Sequence, residues 1–160
     1  MSVDKNQAVI DYLLTCTDIQ ENPLFFNFLT AQDKSQQIIT TANDKALNQS
    51  YIDGSVLKRY TFSIIIFHTV SNQALPTVTG YSSENVQDIA TVQAVMDWVN
   101  EQEDARNYPN FGTDCQIEGI RTSSENPNLN GVDTSVNPAL AKYSMSIEID
   151  YLDTSKCIWN

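Results

Sequence analysis

The side chain in this sequence best suited to acid–base chemistry is its single histidine, His68. General acid–base catalysis needs a side chain that lies in a cleft beside an orienting partner. His68 instead lies in phase with the inward face of a predicted long strand, shortly after the apolar Ile66. We therefore interpret His68 as a structural residue and not as a catalytic one.

The remaining reactive side chains form no recognisable catalytic or metal-binding motif. The cysteines are three and far apart, so neither a disulfide framework nor a zinc site is predicted, and reduced thiols in a protein made in the cytoplasm are expected. Glu148 and Asp150 alternate with apolar residues, and this alternation explains them without catalysis. The motifs GxSxG, GxGxxG, HExxH and the P-loop are missing. We predict no enzyme, no cofactor and no metal. The cysteines are Cys16, Cys115 and Cys157.

Length and charge narrow the class of protein further. A chain of 160 residues is enough for one domain with its own core, and we predict a single domain over residues 1–160. Twenty acidic residues against nine Lys and Arg give a net charge of −11. This charge repels phosphate and argues against tight binding of nucleic acid. The chain is then either an ordinary soluble acidic protein or a protein with an acidic surface past which DNA slides without binding.

The sequence also predicts neither secretion nor membrane contact. Residues 1–5 lack the basic start and the apolar run that begin a signal peptide. No apolar run approaches the roughly 20 residues that a helix needs to span a bilayer. We therefore expect synthesis in the cytoplasm and no membrane partner.

Two long strands are predicted to position most of these side chains. Residues 139–153 alternate strictly between apolar and polar side chains, which is typical of a strand with one buried face. The second strand, residues 57–70, has an apolar inward face, and its other face turns apolar at Ile65 and Phe67. We expect a loop or a neighbouring subunit to cover that end on both faces. The predicted inward residues are Tyr143, Met145, Ile147, Ile149 and Tyr151 in the last strand and Tyr60, Phe62, Ile64 and Ile66 in the other.

One long helix, residues 84–103, is predicted to follow a loop at residues 71–83, with Ser82 or Ser83 as its cap. Acidic side chains late in this helix oppose its macrodipole, a small cost that points to another constraint. By helical geometry, Thr91, Ala94 and Trp98 point away from the core face. Trp98 is then either an edge residue of the core or part of a second contact surface with Thr91 and Ala94, as in a ring of subunits. The predicted core face comprises Val86, Ile89, Val92, Met96 and Val99.

The N-terminal third predicts a helix, a short strand and a turn. Ser2 is expected to cap a first helix that ends near residues 16–17. The aromatic residues 22–29 are interpreted as a loop or short helix that plugs the core, with a docking surface for another subunit as the alternative. Residues 37–41 predict a short strand, and Asp53 with Gly54 predicts a turn. The apolar side of the first helix comprises Val3, Ile10, Leu13 and Leu14.

The C-terminal third adds a strand and a long polar loop to the last strand. Residues 115–121 predict a strand with a bulge at Gly119, because Ile120 breaks the alternation there. Residues 122–138 predict a loop, and loops of this length are often functional. Trp159 is expected to pack against another surface. The economical arrangement of all these elements is an α+β domain: one mainly antiparallel sheet with two main helices packed on it.

Several stretches of the sequence resemble one family of phage proteins when they are taken together. They are residues 93–99 (QAVMDWV), 108–111 (YPNF), 126–133 (NPNLNGVD) and 141–153 (AKYSMSIEIDYLD). The chain resembles the small minor capsid or tail-terminator-like proteins of long-tailed phages and prophages of Gram-positive bacteria. The similarity runs through most of the chain from about Tyr60 onward, and it lies in whole stretches and not in a catalytic motif.

The resemblance implies a tail-terminator-like α+β fold and a structural role in the tail or neck of a virion, after synthesis in the bacterial host cytoplasm. Such a protein closes the tail tube as a ring, with a hexamer expected, and presents a surface to the head connector. Its implied partners are further copies of itself, the tail tube protein and the head connector protein. DNA would pass through the ring without specific binding, which suits the acidic charge. The implied contacts are residues 122–138 for the tube or connector and Thr91, Ala94 and Trp98 for the next subunit.

Three alternatives stay open. Another minor capsid or head–tail completion protein would share the fold, since fold does not fix the station in the virion. A small enzyme without a recognisable site is the second, although an acetyltransferase of the chloramphenicol type is disfavoured because Asn72 stands where the motif HxxxD after His68 requires aspartate. The third is a monomeric binding module, which differs from a ring former in its oligomeric state.

Overall fold

The structure, a computed structural model, describes residues 3–28, 32–40, 45–70 and 84–158. Within these ranges the chain forms three helices and seven strands, and all seven strands belong to one mixed sheet. The predicted α+β class is confirmed. The elements are α1 (Lys5–Leu13), α2 (Thr17–Gln20), β1 (Leu24–Phe26), β2 (Gln36–Thr40), β3 (Lys45–Ser50), β4 (Val56–Thr69), α3 (Glu84–Asp104), β5 (Cys115–Thr122), β6 (Asn128–Asp133) and β7 (Leu140–Asp153).

The two long strands β4 and β7 form the middle of the sheet. They pair antiparallel over their whole length, from Val56 opposite Asp153 to Thr69 opposite Leu140. β2 and β3 pair with β4, while β5 and β6 follow each other along the other edge of β7. β1 runs parallel to β2, whereas the other pairings between described strands are antiparallel. The sheet is therefore mixed, and the predicted mainly antiparallel sheet with two helices describes it only roughly.

The main core lies on one face of the sheet, between β4 and β7 below and the three helices above. The predicted alternation is confirmed, because the five inward side chains of β7 are at most 3% exposed and the four of β4 at most 4%. The predicted cover on the other face of β4 is also confirmed. There Ile65 and Phe67 are buried with Leu140, against Ile39 and Val136. This part of the cover comes from the chain itself.

Helix α1 differs from its prediction in both its start and its buried side. Asp4 caps it by accepting the N–H of Asn6 at 2.9 Å, whereas the predicted cap, Ser2, lies outside the described residues. Val3 precedes the helix and Leu14 caps its C-terminus, and both are 39% exposed, which corrects their assignment to the buried side. The residues that are buried are Val9, Tyr12 and Leu13.

Helix α3 confirms the predicted long helix, but only the C-terminal part of its predicted core face is buried. Val86 and Ile89 are 50% and 42% exposed, which corrects their assignment to the core. The first turns of α3 lie at the end of β4, where the covered rows of the sheet stop. The predicted loop at residues 71–83, with its caps, lies outside the described residues. The buried residues of α3 are Val92, Val95, Met96 and Val99.

Three strands occupy segments that the sequence did not predict as strands, and one of them, β3, pairs with β4 ahead of the predicted turn. β1 lies within the aromatic residues 22–29, and β6 lies within the predicted polar loop, where it pairs with β7. The short strand at β2 and the turn at Gly54 are confirmed. The bulge is confirmed as well, because the register between β5 and β7 shifts between Ile117 and Gly119. Trp159 lies outside the described residues.

Gly54 and Gly131 provide a matched test of the turn that precedes β4. Both have positive φ, 91° and 105°, which strains any residue that has a Cβ. A Cβ at Gly54 would lie 2.6 Å from the carbonyl oxygen of Lys156, whereas a Cβ at Gly131 meets nothing within 4 Å. We expect Gly131→Ala to cost about 1 kcal/mol of unfolding free energy and Gly54→Ala about 2–4 kcal/mol, measured by urea denaturation. Equal losses would contradict the close approach of this turn to the C-terminal segment.

Candidate functional site

His68 is buried and paired with an acid. It is 7% exposed, and its Nδ1 lies 3.3 Å from Oδ1 of Asp88 on α3. The edge of the His68 ring meets Tyr143, with centroids 6.2 Å apart, and burial together with Asp88 raises the pKa of the Tyr143 phenol. The other nitrogen, Nε2, is buried and has no hydrogen-bond partner among the described residues. These contacts join the end of β4 to the start of α3, so His68 has a structural role in holding the two elements together.

The sheet face opposite the helices carries a ladder of charged side chains. Arg59 on β4 donates from Nε and Nη2 to the two carboxylate oxygens of Asp150, at 2.7 and 3.1 Å. Arg121 on β5 donates to Asp150 and to Glu148, each at 2.9 Å. Burial alone would raise the pKa of Asp150, but the two arginines outweigh it and hold this pKa below its usual range. Asp150 is therefore held ionised and lacks the raised pKa that a general acid needs.

Glu103 explains one of the acids late in α3. Its Oε2 accepts the N–H of Ile120 at 2.8 Å, beside the bulge of β5. Burial and a hydrogen bond to Glu103 also raise the pKa of Tyr108. A carboxylate at this end of a helix opposes the macrodipole, but here it accepts a backbone N–H of β5, which is an edge strand of the described sheet. For Glu103, the constraint that places an acidic residue late in the helix is therefore this structural hydrogen bond.

The three predicted contact residues lie on one side of α3 and differ in exposure. Thr91 is exposed, while Ala94 and Trp98 are half-buried. The indole of Trp98 packs against Tyr12 of α1, with ring centroids 5.1 Å apart, and the Tyr12 hydroxyl donates to the carbonyl of Asn107 at 2.9 Å. Trp98 thus packs at the edge of the core within its own chain. Whether this side of α3 also contacts another subunit stays a prediction.

A groove of about 550 Å³ lies between α1 and residues 107–110. Its acids are already engaged: Asp4 caps α1, and Asp11 accepts a hydrogen bond from Gln7 at 2.8 Å. Burial and the nearby Glu103 raise the pKa of Tyr12, so its hydroxyl stays protonated. The groove therefore offers surface and shape but no activated group.

Four exposed apolar side chains gather near the end of the sheet where β4 ends. Val86 and Ile89 on α3 are 50% and 42% exposed, and Leu129 and Val132 on β6 are 58% and 45% exposed. We name these four residues the α3–β6 patch. Scattered apolar residues are ordinary on protein surfaces, whereas a group of them can mark an interaction surface, so the α3–β6 patch is a candidate contact surface.

The two halves of the α3–β6 patch belong to one region of the molecule because strand register and one ion pair place them there. His68, Ala141 and Val132 form one row across β4, β7 and β6. Asp88 contacts His68, so the first turns of α3 lie over this same row. Val86 and Ile89 flank Asp88 in sequence and therefore stand at the end of the sheet that β6 occupies.

A cavity shows which side of α3 faces the connection between β5 and β6. Gln93 and Asn100 line a cavity of about 420 Å³ together with residues 121–125. At 100° per residue, Val86 and Ile89 lie on the same side of the helix as Gln93 and Asn100. They therefore point toward the part of the sheet that continues into β6.

The sequence missed the α3–β6 patch for two reasons. Helical spacing grouped Val86 and Ile89 with the core face, but periodicity does not reveal where the sheet beneath a helix ends. Leu129 and Val132 lacked the alternation of a strand, because a bulge shifts the register between them, with Gly131 at φ 105°. The signal that could have found β6 was the pair of turn residues Asn130-Gly131 between two apolar positions.

Comparison of the sequence with protein-family models and with curated proteins gave no match in either case. In the part of the chain that the structure describes, no three or more His, Cys, Asp or Glu residues are grouped to hold a metal ion. None of the described helices combines the length and the apolar character that crossing a membrane demands.

Trp98→Ala tests whether the indole packs within its own chain. Loss of the contact with Tyr12 and of half-buried surface should lower the unfolding free energy by about 2–3 kcal/mol, and Trp98→Phe by about 1 kcal/mol. Urea denaturation measures both, and Thr91→Ala on the same side of α3 should stay within about 0.5 kcal/mol of the wild type. A Trp98→Ala variant as stable as the Thr91→Ala control would favour the alternative in which Trp98 serves only a contact between subunits.

The pair of Lys58 and Asp153 provides a test by pH. Their Nζ and Oδ2 atoms lie 2.6 Å apart. Burial alone would raise the pKa of Asp153, but hydrogen bonds from Lys58 and Ser155 lower it to about 2. A carboxyl with a lowered pKa stabilises the fold above its unfolded pKa of about 3.9, and this stabilisation disappears as the pH falls toward 2.

Lys58→Met should therefore cost about 1 kcal/mol at pH 7 and 5, and the deficit should shrink between pH 4 and about 2. Urea denaturation at pH 7, 5, 4 and 3 measures the difference from the wild type. Lys156→Met, which removes a charge from an exposed lysine, is the matched control. A deficit that stays constant with pH would show that the loss does not come from the ion pair with Asp153.

Proposed function

We propose that this chain is a structural protein of the tail or neck of a long-tailed phage and that it acts by assembly. In this proposal it is a tail terminator that caps the tail tube as a ring, with six copies expected, and joins the tube to the head connector. Its partners are copies of itself, the tail tube protein and the head connector protein. It is made in the bacterial cytoplasm and ends in the virion.

The observation that carries the proposal is the α3–β6 patch. Its four apolar side chains are between 42% and 58% exposed, and they stand on a helix and a paired strand. Surfaces of this kind are buried when a protein assembles, because removing apolar area from water is favourable. The resemblance of the sequence to tail-terminator-like proteins supplies the kind of assembly.

The charge of the chain supports the same proposal. The second half of α3 exposes Asp97, Glu101 and Asp104, and the chain has a net charge of −11. A ring of such subunits repels phosphate, so DNA passes through its channel without adhering. An acidic channel is compatible with a passage and incompatible with tight binding.

Other members of the same assembly class fit these observations as well. A minor capsid or head–tail completion protein would also need apolar contact surfaces, and the fold does not decide its station. A small enzyme has less support, because His68 is enclosed and Asp150 is held ionised by its arginines. A monomeric binding module differs from these in its mass in solution.

Light scattering after size exclusion, across a range of protein concentrations, tests the assembly. The mass of the wild type should grow toward six chains. Ile89→Glu in the α3–β6 patch should lower it, as should Thr91→Glu or Ala94→Glu on the predicted contact side of α3, because each places a charge on a proposed contact. Gln116→Glu adds the same charge to an exposed position on β5, away from both surfaces, and should behave as the wild type.

A ring that closes only on its tube would be monomeric in solution, so the same variants are also mixed with purified tail tubes. Capped tube ends are then counted by electron microscopy. A chain that stays monomeric and does not bind tube ends would contradict the proposed function.

A further inference from the structure

One dipeptide of β6 combines a chemically labile side chain with an open backbone. Asn130 is followed by Gly131, and no other asparagine in the sequence precedes a glycine. An asparagine loses its side-chain amide when the backbone nitrogen of the next residue attacks the carboxamide carbon. Glycine permits this attack best, because it has no Cβ to crowd the ring that forms and its backbone reaches conformations closed to other residues.

The fold leaves this dipeptide accessible. The register between β6 and β7 shifts between Leu129 and Val132. Asn130 and Gly131 form this bulge, are both exposed, and stand together opposite the single residue Lys142. Gly131 has φ 105°, and a Cβ built on it would meet no atom of the described residues within 4 Å. The backbone nitrogen of Gly131 and the carboxamide of Asn130 therefore have room to approach each other.

The dipeptide Asp53-Gly54 shows how the fold blocks the same chemistry elsewhere. An aspartate before a glycine forms the same ring, by attack of the glycine nitrogen on the carboxyl carbon. The N–H of Gly54 instead donates to the carbonyl of Tyr51 at 3.0 Å. The Asp53 carboxylate accepts the N–H and the hydroxyl of Ser55, at 2.9 and 2.7 Å. A Cβ at Gly54 would lie 2.6 Å from the carbonyl oxygen of Lys156, so this turn is closely packed as well as hydrogen-bonded.

We propose that Asn130 is a site of spontaneous deamidation in the folded protein. The backbone nitrogen of Gly131 forms a bond to Cγ of Asn130, the Cγ–Nδ2 bond breaks, and the proton of the attacking nitrogen leaves with the side-chain nitrogen as ammonia. Water then adds to either carbonyl of the cyclic imide. Hydrolysis at one carbonyl gives aspartate at this position, and hydrolysis at the other gives isoaspartate, in which the main chain runs through the side-chain carbon.

Either product changes the surface around β6. Each adds one carboxylate, which is ionised at neutral pH, to a chain whose net charge is already −11. This charge stands between Leu129 and Val132, the two exposed apolar residues that β6 contributes to the α3–β6 patch. Isoaspartate also adds a main-chain carbon to β6 and so disturbs the register of the residues that follow. Deamidation of Asn130 thus alters a candidate contact surface with time and without an enzyme.

Peptide mass spectrometry tests the proposal with controls inside one fragment. Trypsin cuts after Arg121 and after Lys142. The fragment between them contains Asn126, Asn128 and Asn130, all of them exposed. Asn126 precedes a proline, which has no N–H for the attack, and Asn128 precedes a leucine, whose side chain hinders it. During incubation near neutral pH, Asn130 should convert at least about tenfold faster than Asn128, the ratio that a barrier lower by about 1.4 kcal/mol gives.

The contribution of the fold is measured by comparing the folded chain with the chain unfolded in guanidinium chloride. A reaction that requires local opening is slowed by the free energy of that opening, so Asn130 should convert in the folded chain within about tenfold of its unfolded rate. Asp53 should form isoaspartate only in the unfolded chain, because its turn is closed in the fold.

Gly131→Ala tests which nitrogen attacks. The added Cβ should slow conversion of Asn130 at least about tenfold, while the loss of about 1 kcal/mol expected from this substitution leaves the chain folded. Incubation in water enriched in oxygen-18 identifies the carboxyl groups that form during the experiment, because only these take up the label.

Three results would overturn the proposal. They are equal conversion of Asn130 and Asn128 in the folded chain, conversion of Asn130 only after unfolding, and an unchanged rate in Gly131→Ala. None of them bears on the proposed function, which is judged by the mass in solution and by the capping of tail tubes.

Discussion

The antiparallel register between β4 and β7 is the constraint on which the rest of this structure depends. It places 14 residue pairs in line, with Tyr60 opposite Ile149 and Arg59 opposite Asp150. Because side chains alternate along a strand, one register fixes the core on one face and the ion pairs on the other. A slip by one residue would bury the charged ladder and expose Ile149. The remaining strands then pair with the free edges of these two, and the helices cover only the apolar face.

The charged side chains on the outer face of the sheet support this register. Salt bridges between partly exposed groups are each worth about 0–1 kcal/mol, far less than the burial of the apolar face, so the ladder of Arg59, Arg121, Glu148 and Asp150 selects a register more than it supplies stability. Glu103 has a comparable role at the bulge of β5. Glu148 and Asp150, which alternation alone explains in the sequence, are held by arginine neighbours that only the paired strands reveal.

The sequence predicted well the features that depend on a pattern among residues close together in the chain. The alternation in β7, the face of β4 and the helical spacing of α3 each repeat over many residues, and the bulge at Gly119 was visible as one broken step. What it missed depends on distant partners. β6 is stabilised by the edge of β7, and the packing of Trp98 depends on Tyr12 from the first helix. The side of α3 shared by Thr91, Ala94 and Trp98 followed from geometry, but the partner of Trp98 could not be read from its own helix.

The proposed assembly has to overcome the repulsion between strongly acidic copies, each with a net charge of −11. This repulsion is screened beyond about 8 Å at physiological ionic strength, whereas apolar contacts act only at the surfaces that touch. A single contact between such copies is therefore expected to be weak. In a closed ring each copy would make two contacts, while the end copies of an open chain make one, so closure would favour assembly where a single pair would not hold.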